Sequence, residues 1–531
     1  MQEMEFNLLE EPWIRVRRPD CTVEEVSLTD ALLRSHEYAD LAGELPTQDV
    51  AVLRLLLAVL QTVFYRVDLE GRDAPLQEED DALERWGLLW ERRRLPEKPI
   101  REYLDAWRDR FWLFHPERPF YQVNEAQIGT EYGAKKLNGE ISESENKYRL
   151  FQSYAGRKKD SLTYRQAARW LLYLNGFDDT SSKPKGKNLP SVGAGWLGKL
   201  GLLLAQGKSL AETLLLNLTL LKDGRELWDP PHPYWESDQP RTGERTEIPQ
   251  PKDQAALLTL QSRRLILHRE EGAVKGYRLL GGDFFQKENA FCEQMTLWRK
   301  SQEKKNAPIV FSPVRHDPSK QMWREFPLAF SAELSAHTPG IVGWVTGLGE
   351  LLGKGTLVKF ESVGVVYGDK DFFVNDAFVD SLTFHRDLLD AMGVGSVSKI
   401  CREIENCEQI ARAVGNLAQE VAKAGGGNGE GLSEVAKERF YFAIDQPFRR
   451  WLSGLDPEGD VEEAVSEWRE QAKKIARQVG QALVEEAGPA ALVGRRETVK
   501  EKVYFHAAPK AFNWFLRELR TIYGEKGGDR A

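Results

Sequence analysis

The sequence predicts an α+β fold in which a large mixed α/β N-terminal domain is followed by a C-terminal four-helix bundle. A chain of 531 residues is too long for one ordinary core. Strand-like alternation mixes with helical periodicity in its first two-thirds, and helical patterns prevail beyond about Thr383. We therefore expect a mixed domain over residues 1–380 and a helical bundle over residues 381–531.

Composition excludes several classes of protein. With 41% apolar and 10% aromatic residues the chain can fill a core, and 29% charged residues keep the surface solvated. The N-terminus lacks a secretory layout and the longest apolar runs are too short to span a bilayer, so we expect a cytoplasmic protein without membrane contact. No pair of cysteines has CxxC spacing, so we predict no disulfide framework, no metal and no cofactor; the four are Cys21, Cys292, Cys401 and Cys407.

The first half of the chain carries one predicted strand and three predicted helices. β-branched and aromatic residues indicate a strand at residues 13–16. Capping residues at Pro46 and Thr47 precede an apolar run that is long enough for a buried helix over residues 50–67. Further helices are expected at residues 100–111 and 162–174.

Three hairpins are expected in the second half of the N-terminal domain. Short β-like runs over residues 263–311 are broken at Glu271-Gly272 and Gly281-Gly282, which indicates two consecutive hairpins. Residues 356–374 alternate again around Tyr367-Gly368-Asp369-Lys370, a plausible tight turn for a third.

The C-terminal part is expected to contain four helices. A glycine-rich linker at residues 425–431 separates the first from the second. The four are placed at residues 385–392 continuing into 398–424, at 432–452, at 459–485 and at 496–523.

Positive charge is concentrated in two stretches of this acidic chain. The net charge is -9, yet residues 147–208 hold twelve Lys or Arg against three acids, and residues 263–315 hold eleven against six. Basic stretches on an acidic chain suit a local footprint for a polyanion, with solvated protein faces as the alternative. A Gly/Pro-rich segment carries the cluster Lys183, Lys185 and Lys187, and such a cluster on a loop favours contact with a ligand. The segment is not a P-loop, because it lacks the GxxxxGK[ST] spacing.

Three motifs make the chain resemble the CasA family, the large subunit of the type I-E CRISPR Cascade complex. The first is Asn7-Leu-Leu-Glu-Glu-Pro-Trp-Ile-Arg-Val16 with Val26-Ser-Leu-Thr-Asp-Ala-Leu32. The second is His115-Pro-Glu-Arg-Pro-Phe-Tyr-Gln122, and the third is Phe440-Tyr-Phe-Ala-Ile-Asp-Gln-Pro-Phe-Arg-Arg-Trp-Leu452. Their order and spacing cover essentially the whole chain, and the family has the α/β domain and four-helix bundle expected above.

The resemblance implies a binding protein and not an enzyme. In such complexes guide RNA reads the target, while the large subunit checks a short adjacent motif, the PAM, on duplex DNA and starts strand opening. The implied partners are double-stranded target DNA, the other Cascade subunits with their guide RNA, and a helicase-nuclease recruited after target binding. In the family, backbone groups, a lysine and an inserted wedge read the PAM from the minor groove. Such reading is of low specificity, because the minor groove displays a degenerate hydrogen-bond pattern.

The resemblance also implies which residues contact nucleic acid. A glycine-containing loop falls on residues 185–195, a lysine hairpin near Lys275 or Lys287, and the wedge on the turn at residues 366–370, where the family's typical glutamine is absent. The expected DNA-binding residues are Lys183, Lys185, Lys187, Asn188, Lys275, Lys287, Tyr367, Gly368, Asp369 and Lys370. A loop that docks on the guide and backbone subunits is expected to use Phe151, Arg157, Lys158 and Lys159. Core roles for Phe151 and Tyr367 are the alternatives.

Two other function classes are weighed against this one. A metal-dependent nuclease would need His115, His268, His385 and scattered acids to converge, and the chain offers only two short matches, His268-Arg-Glu-Glu271 and His316-Asp317. Because His115 precedes a proline in an aromatic turn, a structural role is favoured for it. A scaffold without DNA contact is the third class, which salt-dependent duplex binding would separate from the first.

Overall fold

The computed structural model describes residues 4–137, 160–238, 241–302, 308–331, 337–499 and 502–524. The helices are α1 (Leu28–Leu33), α2 (Pro46–Arg66), α3 (Glu79–Arg92), α4 (Glu97–Ala106), α5 (Ala134–Leu137), α6 (Tyr164–Phe177), α7 (Leu210–Asn217), α8 (Gln254–Leu258), α9 (Phe326–Phe330), α10 (Gly340–Gly347), α11 (Gly349–Leu352), α12 (Val394–Ala424), α13 (Leu432–Gly454), α14 (Val461–Glu485), α15 (Pro489–Val493) and α16 (Ala508–Ile522). The strands are β1 (Glu5–Asn7), β2 (Ile14–Arg17), β3 (Val23–Val26), β4 (Asp40–Leu41), β5 (Trp112–Phe114), β6 (Thr130–Gly133), β7 (Leu202–Gln206), β8 (Leu221–Lys222), β9 (Glu226–Leu227), β10 (Arg263–Glu270), β11 (Ala273–Gly281), β12 (Leu297–Ser301), β13 (Val310–Val314), β14 (Leu357–Tyr367), β15 (Val374–His385), β16 (Arg495–Val499) and β17 (Lys502–His506).

The chain forms two compact units. The first comprises Met1–Lys320, Leu328–Gly353 and Val358–Ser381 and contains the small sheets and the short helices around α2. The second comprises Gln321–Pro327, Lys354–Leu357 and Leu382–Ala531. Mixed α/β structure and a helical C-terminal region are therefore both present, as the sequence predicts, although two short segments before residue 380 belong to the helical unit.

Helix α2 is the core helix of the first unit. Proline at its first position fits a helix start, because the missing N–H has no partner there in any helix. Pro46, Asp49 and Arg66 are the helix residues that are not fully buried. Within the described ranges α2 is the one helix long and apolar enough to cross a membrane, and 94% of its apolar window is buried inside the protein. The helix predicted at residues 50–67 is confirmed.

Among the described residues, the first unit carries six small antiparallel sheets, of which three surround the candidate site. Their strand orders are β10-β11-β6, β12-β13 and β15-β14-β7. The β10–β11 turn at Glu271 and Gly272 is confirmed, with both residues in the left-handed region that a tight turn requires. Gly281 and Gly282 are not a turn: a Cβ on Gly282 would lie 2.4 Å from the Arg263 nitrogen, so glycine serves a close backbone approach there.

The third hairpin is confirmed, with a longer second strand than expected. Strand β14 ends at Tyr367, and β15 starts at Val374 and continues to His385. The helix expected at residues 385–392 is therefore wrong. Two short 3-10 turns, Arg386–Leu389 and Ala391–Gly393, occupy this stretch before α12 begins.

The second unit is a bundle of α12, α13, α14 and α16. Large side chains fill its interior, where Phe448 stacks on Trp323 at 4.3 Å between ring centroids and packs edge-on against Trp468 at 5.1 Å. The fourth helix is shorter than the predicted range 496–523, because β16 and β17 pair as a hairpin from Arg495 to His506 before α16 begins at Ala508.

Candidate nucleic-acid interface

Residues 178–195, which we call the basic loop, connect α6 to a short helical turn. A capping box at Thr163 and Gln166 starts α6. Trp196 follows the loop, and its indole N–H donates to the Glu293 carboxylate at 2.8 Å. That carboxylate also accepts two hydrogen bonds from Arg54 of α2, at 2.9 and 3.0 Å, in a fully buried ion pair. The end of the basic loop is thus fixed to the core of the first unit.

The start of the basic loop is held by a buried cluster of charges. The carboxylate of Asp178 lies 3.0 Å from the Lys183 ammonium and forms an ion pair with Arg263. Burial alone would raise the pKa of Asp178, but the two cations outweigh it and hold that pKa below its usual value. Lys183 also donates to the carbonyl oxygens of Asp179 and Ser181, at 2.8 and 2.7 Å.

This geometry corrects the role expected for Lys183. Its side chain is only 1% exposed, because the ammonium is committed to Asp178 and two carbonyls. The expectation of a solvated lysine that contacts DNA is wrong at this position. Lys183 instead stabilises the base of the loop on which the other lysines are carried.

The tip of the basic loop exposes Lys185, Lys187 and Asn188 to solvent. Gly186 and Asn188 adopt positive φ of 85° and 62°, so the backbone turns sharply between the two lysines. Neither lysine has an ion pair among the described residues. Arg245 holds the loop from outside: it donates to the carbonyl oxygens of Lys185, at 3.2 Å, and of Pro190.

The turn of the β14–β15 hairpin, residues 368–373, is bonded directly to the start of the basic loop. The backbone N–H of Thr180 donates to the Asp371 carbonyl at 2.9 Å, and its hydroxyl donates to the Lys370 carbonyl, also at 2.9 Å. Arg315 donates from its two terminal guanidinium nitrogens to the Asp371 carboxylate at 2.7 and 2.8 Å, and from Nε to the Gly198 carbonyl at 2.6 Å. Two of the segments expected to contact DNA are therefore neighbours.

Tyr367 differs from the stacking wedge that the sequence suggests. Its hydroxyl donates to the Phe177 carbonyl at 2.7 Å, and the Arg315 guanidinium covers its ring at 4.8 Å. Since both the ring and the hydroxyl are engaged within the protein, the expectation that Tyr367 is free to stack on a base is wrong in this structure. Its contacts position the hairpin turn.

The exposed part of the hairpin turn is Asp369 and Lys370. Lys370 and the following Asp371 adopt positive φ of 55° and 58°, so the backbone reverses sharply there. Gly368 is required by packing, because a Cβ there would lie 2.4 Å from the Phe373 ring. Asp369 and Lys370 are thus the wedge residues that the structure leaves accessible.

The two candidate finger lysines occupy different places. Lys275 lies half-buried on β11, one residue before the stretch that pairs with β6. Lys287 is exposed in the segment after β11 and not at a hairpin tip, and its charge acts on Lys199 next to the basic loop. Of the two lysines, Lys287 is therefore the one that is exposed to solvent.

The residues that organise this site are arginines that the sequence did not single out. Arg245, Arg263 and Arg315 bind loop carbonyls or buried carboxylates far away in sequence, so no local pattern marks them. Lys199 belongs to the first basic stretch, and only the fold brings it to one pocket with Arg245 and Arg263. Phe151, Arg157, Lys158 and Lys159 lie outside the described residues.

Three of the four histidines weighed for a metal-dependent nuclease have separate structural partners. His115 accepts hydrogen bonds from the backbone N–H groups of Glu117 and Arg118 at 3.1 and 2.9 Å, which caps the aromatic turn. His268 lies on the exposed end of β10 beside Glu270, and the buried His316 ring contacts the Leu202 carbonyl. Within the part of the chain that the structure describes, no three His, Cys, Asp or Glu side chains come together to hold a metal ion.

Comparison with known proteins gives consistent similarities. The family model of the CRISPR-associated protein Cse1 matches residues 7–479. The CRISPR-associated protein CasA/Cse1 of Thermus thermophilus is 29% identical over 506 residues, which are 90% of this chain and 92% of that protein. The crystal structure of Thermobifida fusca Cse1 superposes with a TM-score of 0.83 at 29% identity and covers 98% of both chains. A chain of a solved CRISPR RNA-guided surveillance complex shares the fold, with a TM-score of 0.73 at 17% identity over 97% of this chain and 99% of that one.

Proposed function

The chain belongs to the Cse1 family of CRISPR-associated proteins, and on this premise we propose that it is the large, non-catalytic subunit of a Cascade surveillance complex. In this proposal it recognises the PAM on double-stranded target DNA and starts the strand opening that lets guide RNA pair with the target. Its partners are the other Cascade subunits with their guide RNA, and it acts in the cytoplasm.

One observation carries the DNA-binding part of this proposal: the hydrogen bonds of Thr180 join the basic loop to the hairpin turn. The loop presents Lys185, Lys187 and Asn188, and the turn presents Asp369 and Lys370. Lysines at a loop tip suit phosphate contacts, and a small turn fixed to the start of the same loop suits reading of base edges. A structural role alone does not explain why two exposed polar segments should be fixed to each other by hydrogen bonds.

The charge distribution supports a local footprint. The chain carries a net charge of -9 although its two basic stretches are positive, so the rest of the sequence is strongly negative and disfavours nucleic acid. Cations concentrated on the basic loop then confine binding to one place and make the affinity depend on salt. The same arrangement limits indiscriminate binding along the duplex.

In this proposal the second unit takes part in recruiting the helicase-nuclease, the step that follows target binding. Family membership supports a role for the four-helix bundle as part of the platform that recruits a helicase-nuclease after target binding. The chain itself then performs no bond chemistry, and cleavage belongs to the recruited enzyme.

A flanking-motif screen tests the proposal. Assembled complexes with wild-type chain, Asp369→Ala or Lys370→Ala are allowed to bind duplex targets in which the motif beside a matched target is randomised. We expect at least one of the two hairpin-turn variants to change the set of bound motifs, whereas Lys208→Ala, an exposed lysine outside the site, leaves it unchanged. Identical motif profiles and affinities for all four chains would remove the hairpin turn from PAM recognition.

The nuclease alternative is separated by a cleavage assay. Pure protein is incubated with labelled DNA and Mg²⁺ or Mn²⁺. DNA cleavage that is lost in His115→Ala, His268→Ala or His385→Ala would favour the nuclease over the binding subunit, because a metal-dependent nuclease needs its ligands to activate water. The proposal predicts that DNA stays intact with each metal.

A further inference from the structure

Lys199 lies beside the basic loop and lines a small pocket there. It ends the short helical turn Leu197–Lys199 and its side chain runs along Gly193, where a Cβ would be 3.7 Å from the lysine Cε and 4.0 Å from its Nζ. It lines a small surface pocket together with Val192, Gly193, Arg245, Arg263, Asp283 and Phe285.

The pocket gathers positive charge with incomplete neutralisation. Four cations act on Lys199: Arg263, Lys287, Arg245 and Arg315. Arg263 is paired with Asp178, and Arg315 is paired with Asp371. Arg245 donates to loop carbonyls and lies over the Phe284 ring at 4.1 Å, and Lys199 has no carboxylate partner among the described residues. The Asp283 carboxylate in the same pocket is paired with Arg241 and Arg264, so it does not neutralise Lys199.

Burial and these neighbours act in the same direction on Lys199. Burial, followed by the charges of Arg263, Lys287, Arg245 and Arg315, lowers the pKa of its ammonium to about 8. A half-buried lysine among cations raises the free energy of the folded chain. An anionic oxygen at the mouth of the pocket would relieve this repulsion, so the arrangement fits a ligand site better than a structural role.

We infer that Lys199, with Arg245, forms a binding site for a phosphodiester group of nucleic acid next to the basic loop. A phosphodiester fits because it carries a single negative charge and accepts hydrogen bonds from several cations at once. The inference rests on the proposed function for the identity of the polymer, which is target duplex or guide RNA. The carrier of the phosphodiester is resolved by the experiment.

The test measures binding of the full-length chain to two labelled probes, a DNA duplex and a single-stranded RNA of the same length, over a range of salt. Lys199→Met keeps the length of the side chain and removes its charge, Lys199→Arg keeps the charge, and Lys208→Met is the control. We expect Lys199→Met to weaken binding of one probe about tenfold at pH 7 and to reduce the slope of log affinity against log salt by about 1. Lys199→Arg should retain most of the affinity.

The pH profile gives a second readout that a merely structural lysine would not change. Wild-type Lys199 is protonated below pH 8 and must take up a proton to bind above it. Affinity is then constant below pH 8 and falls by up to tenfold for each pH unit above it until the pKa of the bound state is reached. Arginine stays protonated throughout, so the Lys199→Arg profile should be flat from pH 7 to 9.

The outcomes separate the inference from the proposed function. Loss of duplex binding in Lys199→Met supports both, and selective loss of RNA binding supports the phosphodiester site while assigning it to the guide. Duplex binding by wild type with no difference between Lys199→Met and Lys208→Met overturns the inference and leaves the proposed function intact. Thermal melting of Lys199→Met checks that it is folded, and Lys199→Arg with an unaltered fall above pH 8 would also overturn the inference.

Discussion

The hydroxyl of Tyr367 donates a hydrogen bond of 2.7 Å to the carbonyl oxygen of Phe177, which joins the end of β14 to the last residue of α6. Close packing accompanies this bond: a Cβ on Gly198 would lie 2.0 Å from the Tyr367 hydroxyl oxygen. These contacts hold the hairpin turn and the basic loop in a fixed arrangement, so substitutions at the contact should affect both segments.

Tyr367→Phe removes this hydrogen bond and leaves the Phe177 carbonyl without its donor. We expect the free energy of unfolding to fall by about 1 to 2 kcal/mol. Target affinity of the assembled complex should fall by about fivefold, because the hairpin turn is no longer fixed. Thermal melting and duplex binding measure the two effects, and Tyr504→Phe, on an exposed ring of the C-terminal hairpin, is the control. An effect no larger than that of the control would show that the bond does not position the turn.

Asp178→Asn tests the buried charge cluster at the base of the basic loop. The substitution leaves Lys183 and Arg263 as buried cations without their shared counter-charge. We expect a loss of roughly 3 to 5 kcal/mol in the free energy of unfolding, measured by denaturant titration. Glu131→Gln removes one partner of an exposed ion pair with Arg278 and should change it by less than about 1 kcal/mol. Equal effects of the two substitutions would mean that the cluster does not hold the loop.

Glu361 predicts a pH-dependent stability of the first unit. Burial, aided by the charge of Asp40, raises the pKa of Glu361 to about 7. Because the pKa of this carboxyl is higher in the folded chain than in the unfolded chain, where it is near 4.5, protonation favours folding. This contribution to stability is fully present below pH 4.5 and is lost as the pH rises through 7. Glu361→Gln should therefore be more stable than wild type at pH 8, by on the order of 2 kcal/mol, and the difference should vanish near pH 4.

Thermal melting from pH 4 to pH 8 measures this difference. Glu131→Gln, at an exposed position, provides the baseline. A difference between Glu361→Gln and wild type that stays constant across the range would contradict the protonated Glu361 carboxyl.

The contribution of Lys199 to stability depends on pH in the opposite direction to that of Glu361. Its pKa of about 8 lies below the ordinary lysine value of 10.5, so protonation favours the unfolded chain and stability is lost as the pH falls through 8. Lys199→Met should be more stable than wild type at pH 7, by on the order of 2 kcal/mol, and the gain should shrink towards pH 10. Melting curves of both chains and of Lys208→Met measure this. A destabilised Lys199→Met at pH 7 would show that the lysine is a structural residue.

The sequence predicted the elements whose signals are local. Helix α2 has continuous apolar residues and a proline start, and the β10–β11 turn has Glu271-Gly272, so both were found. The helix expected over residues 496–523 is present only as α16, because the β-branched and aromatic residues before Ala508 pair as the β16–β17 hairpin. The helix expected at residues 385–392 failed since β15 continues to His385.

The site residues likewise differ in whether local sequence or distant contacts determine their environment. Lys185 and Lys187 were predicted to be exposed on a Gly/Pro-rich loop, and they are. Lys183 lies two residues earlier in the same pattern, but its burial is decided by Arg263, which is eighty positions further along the chain and shares Asp178 with it. Tyr367 likewise has its partners in α6 and at Arg315, which no spacing in the sequence reveals.

Salt-dependent duplex binding by a chain with Lys185→Ala and Lys187→Ala tests the central claim most directly. Removing two lysine–phosphate contacts should reduce the slope of log affinity against log salt by about 2, while a chain with Lys208→Ala and Lys252→Ala, two exposed lysines outside the basic loop, keeps the wild-type slope. Equal slopes for the two double variants would contradict a DNA-binding role for the basic loop.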